Sequence, residues 1–133
     1  MVNILNYARQ YAEEVGGQYT DYDNSKAVIV VPLSAGRFQT VLGIARTGSV
    51  SGKDQVMFIS KICDFDEAID LRDLLERNGT FDYSRFILED GFLKVVASCV
   101  AENASEGLVK EMIREVANIA DQFEFKFTGQ DVH

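Results

Sequence analysis

The 133-residue sequence predicts an α+β fold: an antiparallel sheet of about five strands with helices packed on one face, in the order α-βββ-α-ββ-α. Three observations lead there. Near the carboxyl end Leu108, Met112, Val116, Ile119 and Phe123 recur every three or four residues, so they share one face of a long helix and require an apolar surface to cover. Upstream, residues 26–33, 37–46 and 55–62 are rich in branched and aromatic side chains and are separated by short returns, the pattern of antiparallel hairpins. Two further such runs, 84–89 and 92–100, are joined by Asp90-Gly91, a pair that accommodates the positive dihedrals of a tight hairpin turn.

The elements follow in order. Residues 2–15 place Leu5, Ala8, Ala12 and Val15 on one helical stripe with Tyr7 and Tyr11 on its flank, and Gly16-Gly17 stops the helix. Asp21, Asp23 and Asn24 read as a turn before the first strand, and Pro32, which donates no ladder hydrogen bond, marks that strand's end or outer edge. In the next strand Phe38, Thr40, Leu42 and Ile44 alternate with Gln39, Val41 and Gly43; in the third, Val56, Phe58, Ser60 and Ile62 alternate with Met57, Ile59 and Lys61. Neither strand has a fully polar side, which predicts cover of the weaker side by a loop, a partner subunit or a client. Asp64 with Glu67, or Asp66, is expected to cap a second helix that buries Ala68, Leu71, Leu74 and Leu75 and ends at Asn78-Gly79. Asn103 with Glu106 has capping-box spacing for the last helix, and the period-two run Phe123, Phe125, Phe127 suggests an extended aromatic tail or a last short strand. Residues 1–133 are expected to form one domain with a mobile tail from about 128.

Composition narrows the function. A net charge of −8 repels nucleic-acid backbones, anionic membranes and acidic substrates on average, unless a local basic patch overrides the mean. Cys63 and Cys99 lack C-x-x-C spacing and read as reduced core thiols. The amino terminus is too polar for a signal peptide and no run is long enough to span a bilayer, so no membrane association and a cytoplasmic location are expected.

Catalytic signatures are missing: there is no dinucleotide fingerprint, phosphate loop, zinc helix motif or nucleophile elbow, and the one histidine, His133, is a terminal residue without held geometry. The acidic series Asp64, Asp66, Glu67, Asp70 and Asp73 lacks the ordered spacing of a calcium loop and reads as caps and a solvated face. Gly48 to Lys53 gathers glycines, hydroxyls and a lysine but precedes a strand, so it reads as a flexible hairpin.

The element order, with segments such as Phe81-Asp82-Tyr83-Ser84-Arg85-Phe86 and Phe92-Leu93-Lys94-Val95-Val96, resembles the type III secretion chaperone-like fold, including the YbjN-like family, over roughly residues 2–125. The resemblance implies a small acidic dimer; members of the chaperone branch bind extended effector segments along the sheet and helices. The chain therefore reads as a non-enzymatic protein-interaction or chaperone-like module: a homodimer with a protein or peptide client, no nucleic acid, no cofactor and no catalytic or metal residues. Candidate contacts are Val41, Met57, Ile59, Val95 and Met112. The alternative is a small-molecule or metal-responsive regulatory domain with a pocket near Arg46, Lys61 and the acidic entrance of the second helix.

Overall fold

In the computed structural model the described residues are 2–23 and 25–128, with side chains from Leu5 onward. His133 and the expected tail beyond Thr128 lie outside them. Helix α1 (Val2–Glu14) buries Leu5, Ala8, Tyr11 and Ala12. The two glycines after it serve different needs. Gly16 takes the left-handed conformation (φ +74) that ends the helix, whereas a Cβ on Gly17 would stand 2.1 Å from the Val30 carbonyl oxygen. That close approach lets the chain turn directly into a strand.

Strands β1 (Gln18–Asp23), β2 (Lys26–Pro32), β3 (Phe38–Thr47), β4 (Asp54–Asp64), β5 (Ser84–Glu89) and β6 (Phe92–Val100) form one antiparallel sheet in the order β1-β2-β3-β4-β6-β5. The sheet thus has one strand more than expected, because Gln18–Asp23 pairs with β2 where a turn was expected. Polar Gln18, Thr20, Asp21 and Asp23 hide the strand from pattern reading; being an outer strand, it tolerates their exposure. Pro32 ends β2, opposite Phe38. Asp90 (φ 55) and Gly91 (φ 82) form the tight β5–β6 turn.

Helix α2 (Leu71–Asn78) starts later than expected. Asp70 is its cap, accepting from the Asp73 amide, while Asp64 ends β4 and the Asp66 carboxylate accepts from the Ala68 amide in the intervening turn. Of its expected apolar face only Leu74 is buried; Ala68, Leu71 and Leu75 are exposed. Helix α3 (Glu106–Thr128) absorbs the three-phenylalanine run as helix. Phe123 packs edge-on to Phe86 and lies beside Phe127 at i+4, whereas Phe125 points outward. Its first turn is capped by Ser105, whose hydroxyl accepts from the Leu108 amide; Asn103 belongs to the preceding 3-10 turn.

All three helices lie on one face. α3 packs across β4, β3 and β6, α1 lies beside it over β1 and β2, and α2 flanks β5. Their common floor is Ile29, Val41, Val56, Phe58, Val95 and Ala97, against which α3 buries Met112, Ile113, Val116, Ala117 and Ala120. Several polar groups at this interface find partners. Arg37 holds Asp121 of α3 through two nitrogens (3.0 to 3.1 Å), and Gln39 donates to the Ser60 hydroxyl at 3.1 Å. Glu115 of α3 accepts from the amides of Asp82 and Tyr83, both at 2.9 Å, and so fixes the α2–β5 connection.

Two consequences follow for stability. Gly17→Ala forces backbone apart and is expected to cost about 2 kcal/mol, against about 1 kcal/mol for Gly16→Ala, where only dihedral strain is added; equal losses in urea unfolding would contradict this. Burial raises the Glu115 carboxyl pKa, but hydrogen-bond donors on residues 82–84 outweigh it, so the group titrates below the ordinary range. Its contribution is then fully present above the unfolded value, about pH 4.3, and is lost as the pH falls through the lower folded value. Glu115→Gln is expected to lose about 1 kcal/mol at pH 7, after solvent screening, and a smaller amount at about pH 3, below the unfolded value. The same loss at both pH values would rule out the carboxylate's role.

Candidate protein-interaction surface

Alternation along β2, β3, β4 and β6 sends every second side chain away from the helices. Val28, Leu42, Ile59 and Val96 form one register row across these strands, and Ile44 and Met57 the next. No described helix covers this side. Ile59 and Val96 are shielded only by neighbouring side chains, while Val28, Leu42, Ile44 and Met57 are half-buried.

Of the five residues chosen from sequence, Met57 and Ile59 occupy this open face. Val41, Val95 and Met112 do not: each is at most 1% exposed, sealed between sheet and helices. The side of β3 that looks weaker by composition is the core side. Gly43 faces inward because a Cβ there would press on the Phe58 ring at 3.1 Å, and Gln39 faces inward because Ser60 supplies a partner. The more apolar set, Phe38, Leu42 and Ile44, is left to the open side.

A trough of about 550 Å³ runs over this face, floored by Thr40, Leu42 and Ile59, with Phe38 and Phe92 along it and Lys61 and Lys94 in its wall. The buried polar groups hold its backbone. Ser60 donates to the Thr40 carbonyl at 2.6 Å and Gln39 to the Lys61 carbonyl at 3.3 Å, just before a register shift between Lys61 and Cys63. Lys61 and Lys94 lie directly opposite each other on β4 and β6. The Lys61 ammonium stands 3.9 Å over the Phe92 ring and 3.8 Å from Asp64; Lys94 pairs with Glu89 at 2.8 Å.

A second apolar area lies at the β5 edge. Leu75 (70% exposed), Leu88 (49%) and Leu71 (40%) surround a cavity of about 270 Å³ backed by Leu74, Phe86 and Leu93. β5 is an outer strand, and on its far edge the Phe86 amide donates to the Asn78 side chain at 2.7 Å.

Arg46 is not brought together with Lys61 and the acidic helix entrance, although that entrance borders a cavity of about 440 Å³ lined by Cys63, Asp64, Asp66, Ile69 and Phe127. Arg46 pairs with Gln55, about 20 Å along β4 from Lys61. The acidic series is spent locally: Asp70 caps, Asp66 closes a turn, Asp64 meets Lys61 and Asp73 meets Arg77. Among the described residues no group of three His, Cys, Asp or Glu side chains is placed to hold a metal ion. Cys63 and Cys99 are free thiols whose pKa values burial pushes up, so neither is an activated nucleophile. No described helix is long and apolar enough to cross a membrane.

No family model and no curated protein matches the chain. Among solved structures it is similar to a chain of the HopA1–SchA chaperone–effector complex, with a TM-score of 0.56 and 11% identity over 93% of this chain and 97% of that one. At that identity the likeness is one of fold alone.

Proposed function

We propose that the chain is a non-enzymatic, chaperone-like module that holds a protein or peptide client on its open sheet face and acts as a cytoplasmic homodimer. The observation that carries the reading is the apolar face itself: a row of aliphatic side chains across four strands, with a trough along it and no described helix above it. A fold shared with a chain of a chaperone–effector complex supports it.

The homodimer reading draws support from β5. Two copies of this edge strand, paired antiparallel about Ile87, place Arg85 opposite Glu89 in both halves and Phe86 opposite Leu88, with the Phe86 amide exchanging its Asn78 partner for the second copy. The exposed leucines of α2 would flank the joint.

Both parts are testable. Peptides enriched from a displayed random library are expected to bind wild-type protein about tenfold or more tightly than Leu42→Asp, with the helical fold kept by circular dichroism. No enrichment, or indifference to Leu42→Asp, would overturn the client surface. Light scattering after size exclusion should give twice 14.8 kDa for wild type, monomer for Arg85→Glu, and dimer again for Arg85→Glu combined with Glu89→Arg. A wild-type monomer, or an unaffected Arg85→Glu dimer, would overturn this pairing.

A further inference from the structure

We infer that the trough on the open face takes an acidic-apolar protein segment, one that lays a carboxylate between Lys61 and Lys94 and apolar side chains over Leu42, Ile59 and Phe38. The inference rests on the client-binding reading and names the chemistry of the client.

Two observations carry it. The first is a segregation of charge. The chain as a whole is at −8, yet the cations on the open side, Lys26, Arg46, Lys61, Arg85 and Lys94, outnumber its acids. Those acids, Asp23, Asp64 and Glu89, all stand at strand ends, outside the central rows. The helical side therefore carries more than the whole net negative charge, and the sheet side is the local basic patch that overrides the mean.

The second is the Lys61–Lys94 pair. Like charges directly opposite on neighbouring strands destabilise a sheet. Here two ammonium groups are held opposite each other, with Lys61 pinned through its carbonyl by Gln39 and its head over Phe92. Their partners Asp64 and Glu89 approach from the strand ends, leaving the side toward Leu42 and Ile59 for a third anion. A bound carboxylate turns the repulsion into two favourable contacts over a floor that excludes water. The floor is mainly aliphatic, which suits side chains better than stacked bases.

The test uses three labelled probes and fluorescence anisotropy at about 50 mM salt: a peptide of about 12 residues alternating leucine with glutamate, the same peptide with glutamine, and an oligothymidylate of about 20 nucleotides. Wild-type protein should bind the glutamate peptide about fivefold or more tightly than the glutamine peptide, and Lys61→Gln with Lys94→Gln should erase that ratio. The double variant loses the Asp64, Glu89 and Phe92 contacts along with the like-charge pair, so its fold is checked by circular dichroism before the ratio is read. Equal binding of both peptides, each weakened by Leu42→Asp, would overturn the charge inference while leaving the client surface standing. Binding of neither up to about 1 mM would overturn both. Preference for the oligothymidylate would overturn it in favour of a nucleic-acid ligand.

Discussion

The packing of α3 across the middle of the sheet is the interaction on which the rest depends. Its stripe from Val109 to Phe123 seals the inward sides of β3, β4 and β6, with Phe58 fully buried at the centre and Gly43 leaving the space its ring occupies. Removing each large side chain from water contributes about 1.5–3 kcal/mol, so this one contact surface sets most of the stability of the sheet's centre. It also imposes a constraint. With α1 and α2 on the same side, no described helix covers the other, and a face that still carries Leu42, Ile44, Met57 and Ile59 is left by where the helices went.

Polar residues within that seal link core to surface. Gln39 and Ser60 are inward-facing and buried, yet their hydrogen bonds end on the carbonyls of Lys61 and Thr40, whose side chains face the trough. Arg37, one residue before β3, grips Asp121 and lies 5.7 Å over the exposed Phe125 ring, so the carboxyl half of α3 is fixed to the strand that begins with Phe38. Buried hydrogen bonds of this kind hold a single register because any slip leaves a donor or acceptor unpaired. The lysine pair in the trough inherits its geometry from them.

Much of this was legible in the residues. The α3 stripe, the Asp90-Gly91 hairpin, the glycine stop after α1 and the Gly48–Lys53 return all follow from local periodicity and turn chemistry. What escaped has physical causes. β1 is polar because one edge is free, so it carries no apolar alternation. Phe123, Phe125 and Phe127 satisfy both a period of two and an i, i+4 pair, and the long helix preceding them decides in favour of the latter. Val41, on the less apolar side of β3, faces the core with Val95 of β6 and Met112 of α3, and hydrophobic content alone does not reveal which side of a strand the helices cover. One signal was present: Gln39 and Ser60 are lone polar residues on adjacent strands, able to satisfy each other only if both point inward. The Lys61–Lys94 opposition follows from β4 pairing with β6 in one continuous register from Gln55 to Lys61, a long-range pairing across α2 and β5 that no local pattern announces.

The central claim is that this sheet has one sealed and one open side, with β3 oriented as described. Methyl relaxation by a soluble paramagnetic probe measures it directly. Methyls of Leu42, Ile44 and Met57 should broaden strongly, and those of Ile29, Val41 and Val95 should stay sharp. Broadening of Val41 with protection of Leu42 and Ile44 would reverse the parity and remove the surface from which the function is drawn.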